Sequence, residues 1–250
     1  ARPDSCDIPY HLVAKYGRPW TVPVITSYGC PFHCAFCVEK VLYPDFYELP
    51  LDPVMDMIEK ALRLEPQFIN FFDDNFLLRS ERVVEILSRC RENNLAFQWV
   101  CTGRADVVLD LENQILRFLK QQGLFAIYLG IESGSSRILE LINKGITPEK
   151  ALALNIKLKN EGIIPHYSFM AGFPTETETD RVQTTSLMRR LKEENPRAVI
   201  WKINKYTPYP GTELYDLAIE NGFRPPEKFE EWKQAFFYSR DYGTPFDAQL

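Results

Sequence analysis

Six short apolar runs recur along the chain: TVPVITSY at 21–28, FINFFDD at 68–74, AFQWVCTG at 96–103, FAIYLGIES at 125–133, IPHYSFMAGF at 164–173 and AVIWKINKYTP at 198–208. Each is dense in β-branched and aromatic residues and bounded by polar or turn-forming ones, the pattern of a buried strand. Between the runs the apolar positions switch to helical spacing. In SERVVEILSRCRENN, Val83, Leu87 and Cys90 share a face, Ser80 stands where an N-cap belongs, and Asn93 and Asn94 close the helix. In TPEKALALNIKLKNEG, Thr147 caps, Pro148 takes the first helical position and Gly162 ends the helix. A longer insert after the first run holds a cysteine-bearing loop, the stretch YPDFYELP and a helix near 53–65. Strands alternating with helices predict an α/β fold with a parallel sheet, and six units predict a partial (β/α)6 barrel of the TIM type rather than the full eight.

That architecture says where chemistry belongs, because parallel barrels carry their sites in the loops after the strands' C-terminal ends. The cysteine loop, DDNF, GRAD, ESGS, GFPTET and TPYPGT follow the six runs in order, so segments far apart in sequence meet at one mouth. Composition changes this picture little. A chain of 250 residues, 45% hydrophobic and 25% charged, supports one large core. A domain of that size buries roughly 70 to 75% of its unfolded-chain surface. No apolar run is long enough to span a membrane and no secretory leader is visible, which predicts a cytoplasmic protein. A net charge of -5 offers no basic footprint for nucleic acid. The chain opens on Ala1 rather than Met, which predicts a part of something longer.

The sharpest chemical signal is SYGCPFHCAFCVEK at 27–40, where three of the six cysteines, Cys30, Cys34 and Cys37, fall within eight positions. Disulfide-stapled domains are shorter and denser in cysteine. Zinc is the serious structural alternative, with His33 as a fourth ligand, but structural zinc usually draws two ligand pairs from separate segments and no second pair lies downstream. Three closely spaced thiolates suit an iron–sulfur cluster whose fourth iron lacks a protein ligand, an open place for substrate or cofactor. Cys90 on its apolar helical face and Cys101 near a strand end read as packing thiols, although Cys101 has the alternative of facing the barrel interior. His166, on the fifth run, reads as a satisfied interior residue or as a group aimed at a substrate.

With these segments in hand the chain resembles the radical S-adenosylmethionine (SAM) superfamily over about residues 21–215, beginning with CxxxCxxC after the first strand. More closely, SYGCPFHCAFC, FFDDNF, GIESGSSRILELINKG, GFPTET and YTPYPGTELY resemble its cobalamin-binding branch and the methylthiotransferases. The resemblance implies that Cys30, Cys34 and Cys37 hold a [4Fe-4S] cluster, that SAM chelates the fourth iron, and that Phe36 meets the adenine. His33 is then a loop residue. FFDDNF replaces the usual Gly-Gly-Glu stretch, so Asp73 and Asp74 either approach the SAM ammonium or close the strand as an Asx-turn. Glu132 and Ser133 match positions at the ribose or methionine end. Lys144 matches a basic position that pairs with the SAM carboxylate, or else is a solvated helix-end lysine, and Arg104 is a second candidate cation. Gly134 and Gly172 read as points of close approach or tight turning, and Pro208, Pro210 and Gly211 shape the last loop.

The resemblance further implies reductive SAM cleavage to a 5'-deoxyadenosyl radical, hydrogen abstraction, and methyl transfer with cobalamin. Its partners would be an external one-electron donor such as flavodoxin or ferredoxin and a small-molecule, lipid, tetrapyrrole or peptide substrate. The expected organisation is a connector over 1–20, the barrel core over 21–215 and a C-terminal extension over 216–250, with a cobalamin-binding domain lying N-terminal to this chain. The alternatives are a methylthiotransferase or other cobalamin-independent radical SAM enzyme, and a metal-stabilised binding domain without turnover.

Overall fold

All six apolar runs form strands in the structure, a computed structural model that describes residues 8–232. Cys6 and most of the aromatic-rich C-terminal stretch lie outside these residues. The strands are β1 (Thr21–Val24), β2 (Phe68–Phe71), β3 (Trp99–Arg104), β4 (Leu124–Glu132), β5 (Ile164–Ala171) and β6 (Val199–Lys205). They form one sheet in sequence order, and every neighbouring pair is parallel. The principal helices are α1 (Leu51–Leu62), α2 (Ser80–Glu92), α3 (Asn113–Gln121), α4 (Ser136–Leu141), α5 (Pro148–Asn160) and α6 (Glu178–Glu194). This is the partial (β/α)6 barrel expected from the pattern.

Side-chain alternation along the strands assigns two faces. Val22, Val24, Ile69, Phe71, Trp99, Cys101, Ile127, Tyr167 and Phe169 are fully buried and join the main core together with helical residues such as Ile58, Ile86, Leu116 and Leu158. Cys101 therefore shares the core with Trp99 rather than pointing into the barrel. A second, small cluster of Phe68, Val100 and Ala126 occupies the other, concave face. At the heart of the main core Phe71 stacks on Phe76 at 4.2 Å and Trp99 meets both rings edge-on at 5.4 and 5.7 Å. The buried indole N–H donates to the Gln122 carbonyl at 2.9 Å, so no polar atom of Trp99 is left unmatched.

The helix ends show how the loops are aimed. Thr147 accepts from Lys150 N and Pro148 opens α5, as the sequence predicts. The α5 C-terminus closes with Ile163 N donating to Leu158 O and Gly162 N to Lys159 O, with Gly162 at φ 68°. That paired 6→1 and 5→2 arrangement is a Schellman motif. Asn94 ends α2 in the same way at φ 57°. At the start of α2 the expectation fails: Arg79 precedes the first turn, Ser80 is already helical, and no side chain caps it. Helix α1 begins at Leu51, before the expected position, because Pro53 falls in its first turn, where a missing N–H costs nothing.

Two local devices bear on the site. Helix α4 ends in a third Schellman motif, with Asn143 at φ 51° and Lys144 N donating to Leu139 O at 3.0 Å, which turns Lys144 inward. Strand β4 shifts register between Gly130 and Glu132, and Glu132 sits at φ 73°. A non-glycine residue held there stores of order 1 kcal/mol of strain, retained because its surroundings over-determine it.

Candidate active site

The cysteine loop runs from the end of β1 across the top of the sheet. Ala35 anchors it twice, its N–H donating to Ile142 O at 2.9 Å and its carbonyl accepting from Leu214 N at 3.1 Å. Asn143 Nδ2 donates to the His33 carbonyl at 2.7 Å, and the His33 side chain is exposed, so His33 is a loop residue. All three loop thiols are free and half-buried. Burial raises Cys30, against a hydrogen bond from the Phe32 backbone and the pull of Arg104. Burial likewise pushes Cys37 up to about 11 despite a bond from the Glu39 backbone. Among the described residues no three or more His, Cys, Asp or Glu side chains converge on a single-ion position.

Positive charge stands directly against these thiols. Arg104 Nη1 lies 2.8 Å from Cys34 Sγ, and Asp106 clamps the same guanidinium through Nε at 3.0 Å and Nη2 at 2.8 Å. The guanidinium stacks over Phe32, with Cζ 3.8 Å from the ring centroid. Burial would lower Arg104, but Asp106 and Cys34 outweigh it and its pKa rises, so the charge is fixed. Lys144 Nζ bonds Glu132 Oε1 at 2.9 Å, and both side chains are under 10% exposed. The helix-end lysine is thus buried and paired, not solvated. Its ammonium also lies 5.5 Å from the Phe36 ring centroid.

Gly130 makes this pair possible. A Cβ there would meet Glu132 Oε1 at 2.1 Å and Lys144 Nζ at 3.1 Å. Nothing in the sequence pattern singled Gly130 out beyond its place in GIESG.

The two aspartates after β2 part ways. Asp73 is buried and accepts from Thr26 N at 2.6 Å, Thr26 Oγ1 at 2.8 Å and Ser27 N at 2.7 Å, stapling the loop after β1. Burial raises it to about 6, against those hydrogen bonds. The Asx-turn expected here is instead a bracket across the strand ends, and Asp73 is occupied. Asp73→Ala leaves two buried backbone N–H groups without acceptors and should cost about 1–3 kcal/mol by urea denaturation, while Asp73→Asn, which keeps an acceptor oxygen, should cost less. Asp74 instead hydrogen-bonds Glu39, and burial raises both carboxyls, with Asp74 adding to the rise at Glu39. Asp74 also acts on Cys30 and Glu39 on Cys37. Glu39, two residues past the last cysteine, was not anticipated.

Other expected residues make contacts within the fold. Ser133 Oγ lies 3.2 Å from Thr184 Oγ1 and accepts from Ser135 N at 3.1 Å. A Cβ on Gly134 would strike Gln183 O at 2.5 Å, so its closeness is to the α6 backbone. Gly172, at φ 86°, serves a turn. Within the cysteine loop, Phe36 meets Phe173 edge-on at 6.0 Å, and Phe173 stacks on Tyr206 at 5.1 Å. The Tyr206 hydroxyl is buried beside the Thr212 side chain. Three neighbouring aromatic rings suit a flat group such as adenine.

Parallel partial barrel, thiol loop and flanking cations define a class, and comparison with known proteins supplies the family. Residues 24–188 match the family model for the Radical SAM superfamily. The chain belongs to that superfamily, a family of enzymes. It is 33% identical over 209 residues to Uncharacterized methyltransferase PH0819 of Pyrococcus horikoshii, covering 82% of this chain and 43% of that protein. It is 26% identical over 212 residues to tRNA-2-methylthio-N(6)-dimethylallyladenosine synthase of Fusobacterium nucleatum, covering 80% of this chain and 48% of that protein. In fold it is similar to the radical S-adenosylmethionine methyltransferase TsrM of Kitasatospora setae, solved with cobalamin and a [4Fe-4S] cluster, at TM-score 0.66 and 18% identity over 80% of this chain and 40% of that one. The chain spans less than half the length of these relatives. Family membership implies a [4Fe-4S] cluster and SAM as cofactors and sets aside the binding domain without turnover. No helix of the described residues is long and apolar enough to cross a membrane.

Proposed function

We propose that Cys30, Cys34 and Cys37 hold a [4Fe-4S] cluster and leave its fourth iron to the methionine end of SAM. The observation that carries this is the Arg104 guanidinium bonded to Cys34 Sγ, in a loop whose buried thiols need positive charge nearby when deprotonated. When bound, cluster and SAM supply a carbon-centred radical that abstracts hydrogen from substrate. The chain's own groups bind and orient. The Asp74–Glu39 carboxyl pair receives the SAM ammonium, with Asp73 holding the strand ends beneath it. Lys144, with donors left beyond its bond to Glu132, faces the SAM carboxylate, and Glu132 faces the ribose. Phe36, Phe173 and Tyr206 form the adenine slot.

Anaerobic reconstitution followed by reduction with SAM tests this reading. Formation of 5'-deoxyadenosine is the expected outcome, and a chain that assembles no four-iron cluster contradicts it. Gly130→Ala gives a finer check: the chain should be less stable but still load iron, and should bind SAM about 1.5–3 kcal/mol more weakly by calorimetry because the Glu132–Lys144 pair is pushed aside.

For the whole protein we infer cobalamin-dependent methyl transfer, supported by the methyltransferase relative at 33% identity and by the motifs shared with the cobalamin-binding branch. The corrinoid would be held by a domain N-terminal to these residues. The longer protein should take up stoichiometric corrinoid while the present chain retains none; turnover without corrinoid contradicts the inference. The methylthiotransferase relative at 26% identity supports the second reading. Sulfur insertion into tRNA by the longer protein would decide for it.

A further inference from the structure

The concave face of the sheet encloses a cavity of about 660 Å³ that the cofactor site does not use. None of the side chains lining it is charged. Tyr128, His166 and Trp201 form a mutual aromatic panel, with centroids 5.0 Å apart for Tyr128–His166, 5.5 Å for Tyr128–Trp201 and 5.8 Å for His166–Trp201. Phe72 and Trp201 also line the cavity, yet they are 63% and 53% exposed. Large aromatic surface left open inside a cavity marks a binding site.

Two residues lining this cavity each carry a buried polar atom without a partner. Asn70 Oδ1 and His166 Nδ1 are both buried without a hydrogen bond. Buried acceptors of this kind are rare in native proteins and ask for a donor. Asn70 Oδ1 can only accept, and His166 Nδ1 accepts when the neutral ring carries its proton on Nε2. Burial lowers the His166 pKa, which keeps the ring neutral at physiological pH. A charged group entering this lining would find no counter-charge and would lose its hydration. Flat conjugated rings find both edges and faces of aromatic partners here.

The cavity also reaches the cofactor site. Gly130 lines it, and the Glu132–Lys144 pair lies directly against the same Gly130 Cα. A group in the cavity is therefore next to the groups assigned to SAM.

We propose that this cavity is the substrate pocket and that it takes an uncharged, flat conjugated ring carrying N–H or O–H donors, held by Asn70 and His166 against the Tyr128–Trp201 panel. The proposal rests on the SAM-site reading for its proximity to the radical, but its recognition chemistry stands by itself. Charged substrate parts, such as carboxylates and phosphates, stay outside. His166 acts here as a binding residue.

Benzimidazolone, flat, neutral and bearing two N–H donors, serves as the probe; its N,N'-dimethyl derivative and benzoate are the comparisons. Binding is followed on the reconstituted full chain by calorimetry and by imidazole NMR, where three histidines make assignment simple. Benzimidazolone should bind and perturb His166 but not His33. The dimethyl derivative should bind at least fivefold more weakly, the order expected for unmet buried acceptors. Trp201→Ala, a change at a half-exposed side chain, and His166→Phe, which keeps an aromatic ring, should each weaken benzimidazolone at least fivefold. Thermal melts check that both variants fold. Equal affinity for the dimethyl derivative or benzoate, or affinity unmoved by both substitutions, overturns the proposal. Iron content is read on the same samples, so failed binding with an intact cluster refutes the pocket alone, whereas binding without a cluster refutes the SAM-site reading alone.

Discussion

Replacing any one of Cys30, Cys34 or Cys37 with Ala should abolish SAM cleavage by the reconstituted chain and strip the four-iron cluster, while Cys90→Ala leaves both intact. Apart from the Arg104–Cys34 bond, the loop is held to its neighbours through the main chain of Ala35 and His33, so each substitution should leave the fold in place. On the proposed reading, each removes one of three cluster ligands. His33 is exposed and turned to solvent, so it offers no rescue. Cys90 lies in the core on α2, remote in role from the loop, and its loss trims packing only. Iron and sulfide content with visible absorption reads cluster assembly, and chromatographic detection of 5'-deoxyadenosine reads cleavage. Retained cleavage in Cys34→Ala contradicts the assignment.

Lys144→Ala should destabilise the chain by about 3–5 kcal/mol, because it leaves the Glu132 carboxylate buried and unpaired. For a domain near this size that is a fall in melting temperature of roughly 6 to 20 °C. Burial lowers the Lys144 pKa, but Glu132 and Cys34 raise it further, and the net direction is up. A raised lysine contributes stability that is complete below its unfolded pKa and lost only as pH climbs through the folded value. With an unfolded lysine near about 10.4, the stability that Lys144 contributes to the unsubstituted chain should be the same at pH 6.5 and 8.5. The double variant Glu132→Gln with Lys144→Met should recover much of it, since no bare charge remains. Scanning calorimetry of the chain without cluster separates this from cofactor binding. A double variant as unstable as Lys144→Ala shows that the pair is not the cause.

The strands were legible because each is a short apolar run, and alternation along it sets which side chains reach the helices. Cys101 shows the limit of reading by run alone: its parity with Trp99 puts it in the main core, and only register makes that plain. The cysteine loop was legible because its three thiols are local in sequence. The groups around it were not, because they come from other loops. Arg104 meets Cys34 across 70 positions, and Asp73 meets Thr26 across 47. Lys144 read equally well as a solvated helix end until the turn at Asn143 directed it inward. Gly130 and the bend at Glu132 left no trace in composition or period, since their cause is a register shift between β4 and β5. Ser133, expected at the ribose or methionine end of SAM, has its hydroxyl against Thr184 of α6.

The central claim is a cluster with one iron left open to SAM. Electron paramagnetic resonance of the reduced, reconstituted chain with and without SAM tests it most directly. The account predicts a [4Fe-4S] signal that changes on adding SAM, a change lost when SAM binding is impaired in Gly130→Ala. A four-iron signal indifferent to SAM, or a chain that takes up zinc in place of iron and gives no signal, would contradict it.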